Sequence, residues 1–167
     1  MTGNTANIRD IHIQAPASKS MSHRAVIAAS LAHGESRLAG ILESQDLART
    51  MDIMSLCGAN IIRTGAGAYR IRGMASRPLG GGSDPLNLDV GESGTTCRLI
   101  TAVVAAGHGA FRVHGHGRMH QRPIAELVQA LTIQGVETRY EGEPGCPPLV
   151  LRTMGLTGGV VGISLEE

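Results

Sequence analysis

The sequence predicts an α/β fold made of two copies of one βαβαββ unit. Three observations carry that reading. The stretch "IHIQAPASKSMSHRAVIAASLAHGESRL" is answered about 75 residues later by "LDVGESGTTCRLITAVVAAGHGAFRV". Each copy runs from a short strand through a loop of small residues into an Ala-rich apolar helix with an arginine near its start. A second, amphipathic helix and two β-rich stretches then follow in each copy. The offset exceeds that of solenoid repeats, so the expectation is a compact repeat domain.

The first helix falls at Met21–Ala32, before Gly34, and its counterpart at Thr95–Ala106, before Gly107. Both are apolar on nearly every face, which predicts burial. The second helices lie in "QDLARTMDIMSLCGANI" and "RPIAELVQALTIQGVET". Leu47, Met51 and Met54 share a face of the first. Ile124, Leu127, Val128 and Leu131 follow the i, i+3, i+4, i+7 pattern in the other. Gly58 and Gly135 occupy the C′ positions. Pro123 at the first helical position makes Arg122 the residue leading into that helix. Strands are expected at Asn60–Arg63 and Tyr69–Arg72, then at Glu137–Tyr140 and Leu149–Arg152. "GMASRPLGGGSDP" carries loop residues and separates the copies. In "GLTGGVVGISLEE", Gly159–Leu165 reads as the opening strand of a third unit, so the chain is expected to be cut from something longer. The organisation is therefore an N-terminal strand within residues 1–13, a first repeat over 14–80, a second over 81–157, and the first strand of a truncated third repeat in 158–167.

Composition excludes several classes of function. Of 167 residues, 42% are hydrophobic and the formal net charge is +1, which gives no reason for a nucleic-acid or membrane-surface partner. Aromatics are 2%, too few to build the stacking platforms of single-strand binders. No apolar run approaches the roughly 20 residues of a membrane helix. The start, "MTGNTANIRD", lacks the pattern of a signal peptide. Cys57, Cys97 and Cys146 are odd in number and widely spaced, as expected of reduced cytoplasmic thiols. Cys97, in a first helical turn beside Arg98, is the one whose pKa could be lowered. His114, His116 and His120 lie close in sequence, but no carboxylate or Cys stands near them in the chain to complete a metal set. They read as loop histidines, and no metal or cofactor is expected.

The chemistry lies in the two small-residue loops. A loop that leads into a helix presents unpaired N–H groups and the positive end of the helix dipole. "ASKS" and "GESGTT" both have that place. If the two units pack about a pseudo-axis, both helix starts reach one end of the domain and collect Lys19, Arg24 and Arg98. The loop "GRMHQRPI" adds Arg118 and Arg122. Arg24 and Arg98 lie on otherwise apolar helices, where an unpaired charge is costly. The expected ligand is anionic, with carboxylates or phosphates. A P-loop is excluded, because the position six residues before Lys19 is Ile13. Lys19 is the only lysine in the chain, beside 14 arginines. A lysine desolvated among cations can lose its proton, which an arginine cannot; a slim ammonium can also fit between two anions.

The motifs "SKSMSHRA", "DVGESGTTCRL" and "GRMHQRPIAELVQAL" resemble those of the 5-enolpyruvylshikimate-3-phosphate (EPSP) synthases, in the right order and over about Ile11 to Leu165. The resemblance implies βαβαββ repeats of the enolpyruvyl transferase type, the inside-out α/β barrel. It also implies transfer of the enolpyruvyl group of phosphoenolpyruvate to the 5-hydroxyl of shikimate 3-phosphate, with no metal or organic cofactor. Lys19 would contact both substrates and is the candidate for proton transfer. Ser20 and Arg24 would contact the shikimate part, and Gly94 and Arg122 would hold phosphoenolpyruvate. Thr95 and Arg98 would lie in the same pocket. Glu92 stands where the family usually has Asn, and a carboxylate beside an anion site is unfavourable unless paired or turned away. The family is more than twice as long and has a second domain, so this chain alone is expected to be inactive and to self-associate through its cut face. Two alternatives differ in class. One is a non-catalytic anion-binding module on the same repeat. The other is the sister family acting on UDP-N-acetylglucosamine, whose Lys is usually followed by Asn and whose loop carries a Cys where this chain has "GHGRMHQRP".

Overall fold

The structure, a computed structural model, describes residues 16–162. The expected strand within residues 1–13 and the end of the expected third-repeat strand lie outside that range. The elements run α1 (Lys19–Leu31), β1 (Glu35–Leu38), α2 (Gln45–Leu56), β2 (Asn60–Gly65), β3 (Ala68–Arg72), β4 (Leu86–Asp89), α3 (Gly94–Ala105), β5 (His108–His114), a 3-10 turn (Gly117–Gln121), α4 (Ala125–Ile133), β6 (Glu137–Tyr140) and β7 (Leu149–Met154).

Two sheets result. The first has the order β1-β3-β2 and is antiparallel; the second has the order β4-β5-β7-β6, with β4 parallel to β5 and the remaining pairs antiparallel. The order β1-β3-β2 repeats that of β5-β7-β6, so the sequence similarity of the two halves has a counterpart in their strand pairing. Helices α1 and α3 each start on a serine cap. Ser18 Oγ accepts from the Met21 N–H at 3.4 Å, and Ser93 Oγ accepts from the Thr96 N–H at 3.2 Å. Helix α2 starts in the same way on Ser44. Each cap satisfies a donor that has no partner within its helix.

The two first helices are not alike in burial. Helix α3 carries Cys97, Ile100, Val104 and Ala105 into a core with Leu88, Phe111, Val113, Leu149 and Leu151. Helix α1 packs Val26 and Ala29 against Leu47, Tyr69 and Ile71, while Met21, Arg24 and Ala28 face outward. Its buried face also includes Ser22, His23 and Ser30. The expectation of burial all round therefore fails for α1: among the described residues, the first sheet, α2 and the 74–76 stretch cover it and leave Met21, Arg24 and Ala28 outside.

Two further expectations are corrected and one is sharpened. Helix α4 begins at Ala125, with Ile124 at the cap position, so Pro123 precedes the helix and Arg122 ends the 3-10 turn. The tertiary amide of Pro123 disfavours helical backbone at Arg122. The stretch 73–85 is a loop, as expected, and it is held by backbone contacts. Gly73 N–H bonds Gly34 O, Gly81 exchanges two backbone hydrogen bonds with Ala110, and Gly80 lies against Ala110 and Gly81 against Asp84, both too close for a side chain. Residues 155–162 form no strand, and Val160 is fully exposed.

Candidate functional site

The first turns of α1, α2 and α3 meet at Asp46. Its carboxylate takes the Lys19 ammonium from α1. Its backbone carbonyl accepts from Thr50 Oγ1 at 3.2 Å and from Thr96 Oγ1 of α3 at 3.3 Å. The bond from Lys19 is the main cause that holds the Asp46 carboxyl below its ordinary range, and the Ser93 hydroxyl adds to it. Through Thr96, whose hydroxyl also lies 2.9 Å from Ser93 Oγ, Asp46 connects Lys19 to the residue that precedes Gly94.

Beside that link stands a guanidinium cluster. A Cβ added at Gly94 would lie 2.5 Å from Arg122 Nη1 and 3.1 Å from Arg98 Nη1. Glycine is required there by close approach of two side chains, since its φ is not positive. Arg98 Nη2 donates to Pro123 O at 2.8 Å and Nη1 to Gly94 O at 3.4 Å, so Arg98 ties the loop carrying Arg122 to the start of α3. Thr95 is exposed next to this cluster. Ser20 and Arg24 lie on the outward face of α1, where Arg24 Nη1 donates to Ser20 Oγ at 2.7 Å. Both Arg24 and Arg98 are exposed, in the second turns of their helices. The argument that their charges need a ligand to offset burial therefore falls; what remains is their position.

Behind "GESG" a second hub sets the loop. Arg49 Nη1 donates to Asp89 Oδ2 at 2.9 Å, and Gly91 N–H donates to Asp89 Oδ1 at 2.8 Å. His116 Nε2 lies 3.1 Å from Asp89 Oδ2. Burial pushes the Asp89 carboxyl up, but the Gly91 N–H, His116 and Arg49 outweigh it and hold it below the usual range. A carboxylate does stand beside the loop histidines, which the chain order had hidden. Among the described residues, however, no group of three His, Cys, Asp or Glu could hold a metal ion. Gly91 has φ +58° and packs under the Arg49 guanidinium, a place only glycine fills without strain. Glu92 is exposed, and its carboxylate lies against Gly117, which also has positive φ.

Cys97 behaves opposite to expectation. Burial pushes its thiol up to about 11, against the pull of Arg98, and Cys57 is pushed up to about 12 by burial. Helix position alone suggested activation, but the thiol faces the core.

Of the residues expected at the site, Lys19, Gly94, Arg98 and Arg122 share one neighbourhood with two helix starts, and Ser20, Arg24 and Thr95 flank it. Sequence reasoning missed Asp46, Ser93, His23, Thr50 and Thr96. The one available signal was "SQD", a serine cap with an acid in the first turn of α2. Two helix N-termini with three nearby cations are a combination whose chemistry suits an anion with more than one charged group.

Comparison with known proteins gives the same direction. The family model described as EPSP synthase (3-phosphoshikimate 1-carboxyvinyltransferase) matches residues 8–166. A 3-phosphoshikimate 1-carboxyvinyltransferase of Marinomonas sp. is 38% identical over 151 residues, covering 90% of this chain and 35% of the relative. Another, from Cellvibrio japonicus, is 38% identical over 143 residues, covering 84% of this chain and 32% of the relative. A solved structure of EPSP synthase from Acinetobacter baumannii superposes with a TM-score of 0.79 at 26% identity, covering 89% of this chain and 33% of that one. The chain spans about a third of the length of the relatives it matches.

Proposed function

The chain belongs to the EPSP synthase family, and from that membership we propose that it forms one wall of a site that transfers the enolpyruvyl group of phosphoenolpyruvate to the 5-hydroxyl of shikimate 3-phosphate. The observation that carries the reading is Gly94 lying bare beneath the Arg98 and Arg122 guanidinium groups, one link away from Lys19. Arg122 and the α3 N-terminus hold the phosphoenolpyruvate anion. Arg24, Ser20 and the start of α1 hold the shikimate part. Lys19 leaves Asp46 to reach between the two substrates. The hydroxyl adds to the enol carbon as the methylene carbon gains a proton. Loss of phosphate and of a proton from the new methyl group of the resulting ketal then gives the enol ether. Lys19 is the candidate to carry one of these protons. No metal or organic cofactor enters this scheme. The setting is the cytoplasm, as for a biosynthetic enzyme that no helix of the described residues is long and apolar enough to anchor across a membrane.

The repeats proposed at 14–80 and 81–157 each contribute one loop. Catalysis needs groups around both substrates, so this chain alone is proposed to bind without turnover. A partner domain corresponding to the rest of the relatives' length would complete the cleft. Exposed Met154 and Leu156 flank a surface cavity of about 460 Å³ lined also by Arg152 and Gly155, which supports self-association of the chain at high concentration. The test is a titration of the chain with shikimate 3-phosphate followed by phosphoenolpyruvate, read by amide chemical shifts. Shifts at Lys19, Arg24, Gly94, Arg98 and Arg122 are expected, with no phosphate release. An intact fold with no shift at these residues refutes the reading.

A further inference from the structure

Beneath the Lys19–Asp46 pair lies a titratable group that the proposed chemistry does not use. His23, one helical turn after Lys19, is fully buried. Its Nδ1 lies 3.0 Å from Thr50 Oγ1 of α2, and Thr50 Oγ1 lies 3.0 Å from Thr96 Oγ1 of α3. Both threonines are fully buried. Thr96 Oγ1 also reaches Ser93 Oγ at 2.9 Å. The other ring nitrogen, Nε2, is buried with no hydrogen-bond partner among the described residues. A chain of side-chain hydrogen bonds therefore crosses three helices directly under the anion site and ends at an orphaned atom.

Counting protons assigns the chain a direction. Each threonine hydroxyl has one proton. If Thr50 donates to Asp46 O, its oxygen is free to accept from His23 Nδ1–H, and Nε2 keeps only a buried lone pair. In the other tautomer Nε2 carries a buried N–H without an acceptor, and Thr50 must turn its proton away from Asp46. A buried unpaired N–H is the costlier defect. The imidazolium is worse still, since it combines that N–H with a charge near Lys19. The charged groups that act on His23 are Lys19 on α1 and Asp46 on α2, while α3 offers only hydroxyls; burial first, and then Lys19, keep the ring below its ordinary pKa.

We propose that His23 is a positioning residue for the anion site: as a neutral Nδ1–H imidazole it locks α1 to α2 and α3 through Thr50 and Thr96, and so sets where Lys19 stands relative to Gly94. The anion site itself rests on the function proposed above, whereas the lock does not. The role belongs to Nδ1 alone. Asparagine places its terminal amide where Nδ1 lies, whereas glutamine places it where Nε2 lies.

Two measurements on the 167-residue chain test this. Nitrogen-15 imidazole NMR of the wild type, which needs no variant, should show His23 neutral at pH 7 with the proton on Nδ1. A cationic ring or an Nε2–H tautomer overturns the proposal. His23→Asn should retain the Lys19 side-chain shift and bind shikimate 3-phosphate within about twofold of wild type. His23→Leu, His23→Gln and Thr50→Val should move the Lys19 and Gly94 shifts and weaken binding by about fivefold to tenfold, the loss of one buried hydrogen bond. Folded Leu and Gln variants with wild-type shifts overturn it. If wild type binds no shikimate 3-phosphate, the functional reading fails, while the tautomer and the Lys19 shift still decide the role of His23.

Discussion

The two loops that open α1 and α3 have matching places in the two halves of the chain and are held in opposite ways. "GESG" is fixed from several sides. Gly91 lies under Arg49, Asp89 grips the Gly91 N–H, Gly91 O accepts from the His116 N–H, and Ser93 and Gly94 are buried. "ASKS" is exposed from Ser18 to Met21, and Lys19 is tied to the rest of the domain through Asp46. Of the described contacts, those at α3 build a preformed cradle, while those at α1 hold a lysine in reserve on a carboxylate. The function proposed above has a use for both kinds of loop: rigidity costs nothing at binding where geometry is already correct, and an exposed ammonium can exchange partners.

The contrast is broken most severely at Gly115. A Cβ there would collide with the Gly91 carbonyl and with Met119, and the collision with backbone cannot be relieved by a rotamer. Gly115→Ala should destabilise the chain by about 2 kcal/mol or more, measured by urea unfolding. No residue of "ASKS" should approach that cost. Next comes Gly94→Ala. Its Cβ meets the far end of Arg122, so the fold should survive while the guanidinium is displaced. Affinity for phosphoenolpyruvate should fall by about tenfold with little change in unfolding midpoint, which calorimetric titration and urea melts would separate.

On the α1 side the effects should be smaller. Lys19→Arg keeps the charge and a partner for Asp46, so binding of shikimate 3-phosphate should change by about threefold or less; Lys19→Ala should weaken it more. Equal and large losses for both would show that Lys19 is as rigidly placed as Gly94. Acid should act on the same side through His23. The unfolded chain protonates this residue near 6.5, whereas the folded chain resists until lower pH. Its contribution to stability is therefore complete above about pH 6.5 and is lost as pH falls from there through the folded pKa. Asp46 has the same sign, starting from 3.8 and moving lower. His23→Asn should flatten the stability profile just below pH 6.5, as followed by thermal melts. The smallest expected effect is at the thiols. Cys57 and Cys97 should stay unlabelled by a thiol reagent at pH 8 until the chain unfolds, because burial pushes them to about 12 and about 11. Fast labelling of Cys97 would mean that the α3 cradle opens.

Much of the fold was legible because the relevant signals are local and periodic. The internal repeat, the glycines ending helices and the β-branched stretches all act within one element, and the structure has helices and strands close to the expected ranges. The start of α4 was misplaced by reading Pro123 as a first helical residue, since the sequence does not say that a 3-10 turn would end there first. The loop over 73–85 was legible but its backbone contacts were not, because its glycines suit an open loop and a tight contact equally well.

The sequence by itself determined the α/β class, the family and the small set of candidate site residues, because each of these is a matter of which residue types occur in which order. Only the tertiary structure decided which of those residues meet. It turned Arg24 outward, set Arg98 on the Pro123 carbonyl, buried Cys97, and brought Asp46, Ser93, His23, Thr50 and Thr96 together under Lys19. Such hydrogen bonds join residues 27 to 50 positions apart, and they exist only once helix packing has excluded water and left those polar atoms no other partners.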